Sequence, residues 1–274
     1  MTTAGPVAGP VLDADLGDAL ARGLLGPPPQ NLAAFERAFV GHVERSAPDR
    51  EQAWDRFYDA TLSRVARSWG RQLPGTGTVA TFTRIWSRAA ALSCGGSALD
   101  LGTCFGFLPL AWSKQPGAPL LLAADLSPAC AALASRQARR LGCNVGVVCA
   151  DGSRLPLGDR AVATVHLLHV LEHLSAPLGD TVLREALRVA DRRIVVAVPI
   201  EPEPDPIFGH LRAFDLPRLA ALGHRTGWHV RVSDADGAWL VLDRPRAPTR
   251  RRGWGRPSGR VREAQSPPSA APRT

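Results

Sequence analysis

The spacing of apolar residues divides the chain into a helical first part and an alternating second part. Apolar residues at helical spacing predict three helices, over about residues 31–43, 49–69 and 78–92. Asn31 is a good N-cap for the first of these helices. Residues 1–30 are instead rich in Gly, Pro and Asp and end in three consecutive prolines, which predicts a mostly irregular N-terminal arm.

From residue 97 onwards, short apolar runs alternate with longer amphipathic segments. The runs are typical of central strands in a parallel sheet. They cover residues 98–101, 120–124, 145–150, 163–168 and 194–198. Two later runs, 229–233 and 238–242, predict an antiparallel hairpin. The predicted fold is therefore α/β, a Rossmann-like doubly wound sheet that is mostly parallel, with an antiparallel terminal hairpin and an N-terminal helical cap.

The charge of the chain is concentrated at its C-terminal end. The net charge of +8 comes from 33 basic and 25 acidic residues. Residues 244–274 contain nine arginines and a single acid, Glu263, so this segment alone carries the whole +8 and the preceding residues are formally neutral. The basic balance therefore does not favour nucleic acid as a partner for the body of the protein. The Arg/Pro/Ser/Gly composition of this tail predicts disorder.

These patterns predict four regions: an irregular arm at 1–30, a helical cap at 31–96, an α/β domain at 97–243 and a disordered basic tail at 244–274. The start of the chain lacks the pattern of a secretory signal, and no apolar run reaches the roughly 18 residues needed to span a bilayer, so the predicted location is cytoplasmic. The five cysteines form no CxxC pair and are expected to be reduced thiols.

Acidic and glycine-rich segments follow the first three predicted strands. The first is Asp100-Leu101-Gly102-Thr103-Cys104-Phe105-Gly106, in which the glycines allow a sharp turn and close approach of a ligand. Asp125 ends the second strand, where a carboxylate can accept both hydroxyls of a ribose. Asp151, followed by Gly152, comes after the third, where an acid can accept from an adenine amino group. Three acids at successive strand ends favour a nucleotide-type cofactor site.

The chain resembles the class I S-adenosylmethionine-dependent methyltransferases over roughly residues 97–242. The resemblance rests on these three segments and on residues 166–174, which include the Leu-Glu-His-Leu signature at 171–174. It implies S-adenosylmethionine as cofactor. It also implies a set of cofactor-binding residues: Asp100, Gly102, Thr103, Cys104, Gly106, Asp125, Leu126, Asp151, Gly152 and His169. Cys104 departs from the family, which usually has glycine there, and its side chain narrows the approach to the methionine part of the cofactor.

Methyl transfer to a hydroxyl requires that the acceptor lose its proton, a task suited to histidine. His169, Glu172 and His173 follow the fourth predicted strand, and His210 lies in a loop after the fifth. We predict His169 or His210 as the general base. His166 is expected to point into the sheet. Trp54, Tyr58 and Trp86 in the cap are expected to cover the cofactor and line the acceptor pocket.

A divalent metal is the competing use of the same residues. His169, Glu172 and His173 resemble the Glu-x-x-Glu-His grouping with which some quinone and RNA-end methyltransferases hold a metal ion, with His in place of the first Glu. Imidazole and carboxylate are suitable ligands for zinc or a related ion. The metal is the less favoured alternative at this point.

The acceptor is expected to be a small molecule or a sugar. The chain lacks the Asn/Asp-Pro-Pro-Tyr segment of amino-methylating nucleic-acid enzymes and the Pro-Cys nucleophile of C5 methylation. Residues 104–110 and 208–210 resemble the methyltransferase that modifies the oligosaccharide of mycofactocin. Two alternatives stay open, an RNA methyltransferase that uses the basic tail and a non-catalytic cofactor-binding protein.

Overall fold

The computed structural model describes residues 13–71 and 77–245, and a seven-stranded sheet runs through the second of these ranges. Its strands are β1 (Ser97–Leu101), β2 (Leu120–Asp125), β3 (Val145–Cys149), β4 (Val162–Leu168), β5 (Ala190–Val198), β6 (His229–Asp234) and β7 (Ala238–Asp243). Their order is β3-β2-β1-β4-β5-β7-β6. The first five are parallel, and β7 is antiparallel to both of its neighbours. The predicted fold class is confirmed.

Eight α-helices flank the sheet or cover its edge within the described ranges. They are α1 (Leu16–Ala21), α2 (Leu32–Glu44), α3 (Arg50–Ser68), α4 (Thr78–Leu92), α5 (Phe107–Trp112), α6 (Pro128–Arg140), α7 (Ala176–Val189) and α8 (Leu216–His224). Side-chain caps begin several of them: the Asn31 side chain accepts from the Ala34 N–H, and Ser127 accepts from Cys130. The three helices predicted from apolar spacing are confirmed as α2, α3 and α4.

The strand order places the ends of β1 and β4 side by side. From β1 the chain continues to β2 and β3 on one side of β1, and then crosses to β4 on the other side. The order of the strands therefore reverses between β1 and β4. Asp100 of β1 lies directly opposite His166 of β4. In open α/β sheets this reversal opens a crevice at the carboxyl ends of the strands. The segments after β1 and after β4 are therefore brought together, although almost 70 residues separate them.

Part of the predicted N-terminal arm is helical and buried. Leu16 of α1 is completely buried, and the Asp15 carboxylate accepts from the Val79 N–H at 2.7 Å. Arg64 of α3 forms ion pairs with both Asp13 and Asp15. These contacts attach residues 13–21 to the helical cap, so the arm, predicted to be mostly irregular, includes a helical part. The helix was not predicted because it has only six residues and lies in a Gly/Pro-rich segment. Residues 1–12 and 72–76 lie outside the described ranges.

Arg244, the first residue of the predicted disordered tail, is bound to the body of the protein. Its N–H donates to the Arg192 carbonyl at 2.8 Å, and its guanidinium donates to the Leu187 and Ala190 carbonyls at the end of α7. The guanidinium also stacks over the Trp228 ring. The tail prediction was therefore one or two residues too long at this end. Its remaining residues, 246–274, lie outside the described ranges, and the division into four regions stays a prediction.

Within the ranges 13–71 and 77–245, no helix combines the length and apolar character required to cross a membrane.

Candidate functional site

The glycine-rich loop after β1 turns sharply between β2 and the segment that follows β4. Gly102 and Thr103 both donate their N–H groups to the Ala124 carbonyl, at 2.8 and 3.1 Å. Gly102 has a φ of +77°, and a Cβ there would lie 2.7 Å from a methyl of Val170. Glycine is therefore required at position 102 for two reasons, the left-handed backbone and the close approach of Val170. The loop after β1 and the histidine-bearing segment after β4 are in direct contact.

Asp125 is held by two backbone N–H groups at the end of β2. Cys104 donates to one carboxylate oxygen at 2.7 Å, and Ser127 donates to the other at 2.8 Å. Each oxygen keeps a further lone pair, so the carboxylate can still accept from a ligand hydroxyl. Cys104 has a φ of +51°, which is uncommon for a residue with a side chain. The conformation that the family's glycine would supply is thus retained by cysteine.

Asp100 supports the loop from inside the protein. Its carboxylate is 6% exposed and accepts from the Thr103 hydroxyl at 2.7 Å. Burial raises the pKa of Asp100 to about 6, the Asp125 charge adds to that rise, and the Thr103 hydrogen bond opposes it. The predicted cofactor residue Asp100 is therefore placed under the loop, whereas Asp125 lies at its rim.

Two thiols lie beside the Asp125 turn. A hydrogen bond with Cys130 raises the pKa of the Cys104 thiol, and the same bond lowers the pKa of Cys130 to about 7. Donation by Cys104 stabilises a thiolate on Cys130, which explains the opposite directions. All five cysteines are free, as expected.

Three further predicted cofactor residues, Leu126, Asp151 and Gly152, lie just after β2 and β3. Asp125 pairs in register with Cys149, so Asp151 and Gly152 follow at the same edge of the sheet. The exposed Asp151 carboxylate accepts from the Ser153 N–H at 2.8 Å, and this bond lowers the pKa of Asp151. Leu126 is 70% exposed next to Asp125. The three acidic segments predicted to share one edge do so.

A cluster of ionisable side chains follows β4. His169 has a φ of +54°, and its N–H donates to the Ala197 carbonyl of β5 at 2.8 Å. A single 3-10 turn, Leu171–His173, comes next. Glu172 in this turn is completely buried, and neither carboxylate oxygen has a hydrogen-bond partner in the described part of the chain. Nδ1 of His169 lies 3.1 Å from Oε1 of Glu172, but not in hydrogen-bonding geometry, and His169 Nε2 is also buried without a partner there.

The loop after β5 adds His210 to this cluster. The Glu172 carbonyl accepts from the N–H groups of Leu211 and Arg212, at 2.7 and 3.1 Å, which fixes the loop against the turn. The rings of His173 and His210 meet edge to face with centroids 4.9 Å apart. Burial lowers the pKa of His173, although the Glu172 charge opposes this shift.

The grouping suited to a metal differs in one member from the predicted one. Ligand atoms of Glu172, His173 and His210 all lie within 4.8 Å of one another, with His210 in the place expected for His169. Sequence spacing could not reveal this, because His210 is 37 residues beyond His173 and reaches it only through the loop.

Three other residues singled out from the sequence, His166, Trp54 and Tyr58, lie outside the cluster. His166 is buried and pairs with the Ser93 hydroxyl at 2.8 Å, and burial lowers the pKa of His166 to about 4. Trp54 and Tyr58 are also buried, so neither offers an exposed face to an acceptor. Tyr58 instead donates its hydroxyl to the Phe105 carbonyl at 2.9 Å, and thereby holds the glycine-rich loop against the cap.

A cavity of about 560 Å³ lies beside the His210 loop. Three arginines, Arg212, Arg218 and Arg225, contribute to its lining together with residues 202–204. Sequence analysis missed this cavity, because its wall combines the loop after β5 with the exposed face of α8.

Comparison with known proteins agrees with the fold just described. Residues 98–192, about a third of the chain, match the family model described as a methyltransferase domain. The chain is similar to magnesium protoporphyrin IX methyltransferase from Synechocystis, whose structure holds S-adenosylhomocysteine. The two are 15% identical with a TM-score of 0.51, and the likeness covers 72% of this chain and 100% of that one.

A second solved structure of similar fold comes from Methanococcus maripaludis and is assigned as an S-adenosylmethionine-dependent methyltransferase. It is 13% identical, with a TM-score of 0.52 and coverage of 73% of this chain and 95% of that chain. The comparison with curated proteins gives no match.

Proposed function

We propose that this chain is an S-adenosylmethionine-dependent methyltransferase that methylates a hydroxyl of a small molecule or a sugar. The observation that carries the proposal is the contact between the glycine-rich loop and the ionisable cluster after β4. Gly102 packs against Val170, whose neighbour His169 has a free Nε2. A methyl donor on the loop and a proton acceptor beside it are the two parts that O-methylation needs.

The cofactor half of the site uses the strand ends of β1, β2 and β3. Asp125 accepts the ribose hydroxyls through the lone pairs that Cys104 and Ser127 leave available. Asp151 accepts from the adenine amino group, beside Gly152 and Leu126. Gly102, Thr103 and Gly106 let the methionine part approach the backbone, and Asp100 keeps the loop in place through Thr103.

The reaction itself is a displacement at the methyl carbon. The acceptor oxygen forms the new O–CH3 bond, the S–CH3 bond breaks, and S-adenosylhomocysteine leaves. His169 Nε2 takes the hydroxyl proton, and the Glu172 carboxylate 3.1 Å from Nδ1 stabilises the resulting imidazolium. Holding donor and acceptor in line supplies much of the remaining rate enhancement.

The acceptor binds on the side of His173 and His210. Both imidazoles are hydrogen-bonding groups within 4.8 Å of the Glu172 carboxylate, and the loop that carries His210 is fixed to the turn through the Glu172 carbonyl. The oligosaccharide of mycofactocin is the specific acceptor that we propose. Support for it is the resemblance in residues 104–110 and 208–210, together with the formal neutrality of residues 1–243, which suits an uncharged acceptor.

The test compares histidine variants under one assay. Replacement of His169 by Ala should lower the turnover number about 10²–10⁴-fold, the usual contribution of a general base. The affinity for S-adenosylmethionine, measured by calorimetry, should change far less. His210→Ala should raise the Michaelis constant for the acceptor. His224→Gln, at an exposed histidine of α8, is the control. Unchanged turnover in His169→Ala, or an unchanged Michaelis constant in His210→Ala, would overturn the assignment.

A further inference from the structure

Glu172 has the surroundings of a metal ligand. Its side chain is completely buried, and both of its oxygens lack hydrogen-bond donors in the described part of the chain. The imidazoles of His169, His173 and His210 lie close to it. Buried carboxylates are ordinarily paired with a cation or coordinate a metal, because an isolated charge in the interior is strongly unfavourable. No arginine or lysine forms an ion pair with Glu172 in the described ranges.

The His210 imidazole is oriented by a hydrogen bond to its second ring nitrogen, as metal-binding histidines usually are. The Glu201 carboxylate lies 2.8 Å from Nδ1 of His210, which leaves Nε2 as the free ring nitrogen. Metal-bound histidines characteristically donate their second ring N–H to a carboxylate or a backbone carbonyl, which fixes the tautomer and the ring orientation. His210 has such a partner in Glu201.

The distances suit a single ion. The three ligand atoms of Glu172, His173 and His210 lie within 4.8 Å of one another. Two donors on one tetrahedral zinc ion lie about 3.4 Å apart, so the ligand atoms must close by up to about 1.4 Å, a movement that side-chain rotation can supply. Two imidazoles and a carboxylate form the ligand set of several catalytic zinc sites, in which a fourth position is taken by water or substrate.

We propose that Glu172, His173 and His210 bind one divalent transition-metal ion, zinc or a close relative. Glu201 is a positioning residue that orients His210. The loop after β5 belongs to the site, since the Glu172 carbonyl anchors it and Gly209 packs tightly against Leu32 of α2.

The use of this ion rests on the proposed function, whereas its binding does not. In a methyltransferase that acts on hydroxyls, the fourth coordination position would hold the acceptor oxygen, lower the pKa of its hydroxyl and orient it towards the methyl donor. His169 would then take the proton as described above. The acceptor class favoured by such a site is one whose hydroxyl can coordinate a hard or borderline cation, which includes the hydroxyls of sugars.

Binding is tested on the purified full chain without any acceptor. After removal of metals by a chelator, the protein is titrated with Zn²⁺ and separately with Co²⁺, whose visible absorption reports its ligands. We expect one equivalent to bind per chain. Glu172→Gln and His210→Ala should each weaken binding by at least about 100-fold, and Glu201→Gln, which keeps all three ligands, by about 10–100-fold.

His224→Gln is the matched control and should bind as the wild type does. Circular dichroism of each variant checks that it is folded, and the Glu201→Gln result stands even if the Glu172 variant does not fold. Absence of stoichiometric binding in the wild type, or equal binding by wild type, His210→Ala and Glu201→Gln, would overturn the metal site. Calorimetry with S-adenosylmethionine on the same metal-free protein tests the cofactor site separately, so failure of one proposal is distinguishable from failure of the other.

Discussion

Two neighbouring regions at the carboxyl edge of the sheet differ in whether their polar side chains have hydrogen-bond partners. In the loop after β1, Asp125 accepts from two N–H groups and Asp100 accepts from the Thr103 hydroxyl. In the cluster after β4, the carboxylate of Glu172 and Nε2 of His169 are buried and have no hydrogen-bond partner in the described ranges. Among the described residues, the carboxylates of the first region have hydrogen-bond partners and the buried groups of the second do not.

This difference separates two functional tasks. A loop whose polar groups satisfy one another has a defined shape before ligand arrives, which suits recognition of a cofactor of fixed chemistry. Buried groups left without partners cost folding free energy, commonly about 1–3 kcal/mol for each polar group. Proteins retain such groups chiefly at functional sites. The comparison therefore supports the proposed roles, cofactor binding for the loop and the reaction for the cluster.

The largest effect is expected from the unpaired carboxylate. Glu172→Gln keeps the shape of the side chain but removes its charge, so the turnover number should fall about 10²–10⁴-fold. Steady-state methyl transfer at saturating cofactor measures this. The matched control is Glu185→Gln on α7, a carboxylate that pairs with Arg188 at 2.7 Å. That variant should lose stability and keep its turnover number. Equal turnover losses in both variants would contradict a special role for the unpaired carboxylate.

A second effect concerns Asp100, the buried acid under the loop after β1. The pKa of Asp100 is raised to about 6, so its neutral form stabilises the fold fully below pH 4, and this contribution is lost as pH rises through 6. Wild type should therefore lose up to about 3 kcal/mol of unfolding free energy relative to Asp100→Asn between pH 4 and pH 7.

Chemical denaturation at several pH values measures this loss. Asp236→Asn is the control of opposite sign, since Arg84 lowers the pKa of Asp236 and its contribution is lost as pH falls. A constant difference between wild type and Asp100→Asn across this range would contradict the assignment.

A third effect tests the contact that joins the two regions. Gly102→Ala must place a methyl 2.7 Å from Val170 on a left-handed backbone, and should cost about 3 kcal/mol of stability. Gly117 has almost the same φ, +73°, with nothing within 4 Å of a Cβ. Gly117→Ala should therefore cost only about 1 kcal/mol. Thermal or urea unfolding of the two variants isolates the packing between loop and cluster, and equal losses would show that this contact is unimportant.

The smallest effect is expected at Cys104. Because its φ is +51°, Cys104→Gly should stabilise the protein by about 0.5–1 kcal/mol through relief of the left-handed conformation. Cys104→Ala removes the thiol but keeps the strained backbone, so it should bring no gain. A gain in the alanine variant as well would attribute the effect to the Cys104–Cys130 pair.

The fold was predictable because its signals are local. Near-continuous apolar runs identified the central strands, and helical spacing identified α2, α3 and α4. Helix α1 was missed because only Leu16 and Leu20 mark it, and its stability depends on Arg64 of another helix. Arg244 was assigned to the tail for a similar reason, since the three carbonyl groups that its guanidinium contacts lie more than 50 residues earlier in the chain.

The candidate site was predictable in its residue types and less so in its geometry. Strand-end acids follow a regular topology, so Asp100, Asp125 and Asp151 could be placed at one edge from the sequence alone. The partnership of His210 with Glu172 and His173 depends on how the loop after β5 folds back. Likewise, the burial of Trp54 and Tyr58 depends on packing against Phe105, which no local pattern encodes.

The most direct measurement is the fate of a labelled methyl group. The full chain is incubated with S-adenosylmethionine labelled in its methyl group and with an extract of its own organism divided into small-molecule, oligosaccharide, RNA and protein fractions. The account predicts label in the small-molecule or oligosaccharide fraction, on oxygen, and loss of that label with Glu172→Gln. Label that appears only in RNA or protein, or that persists undiminished in the Glu172 variant, would contradict it.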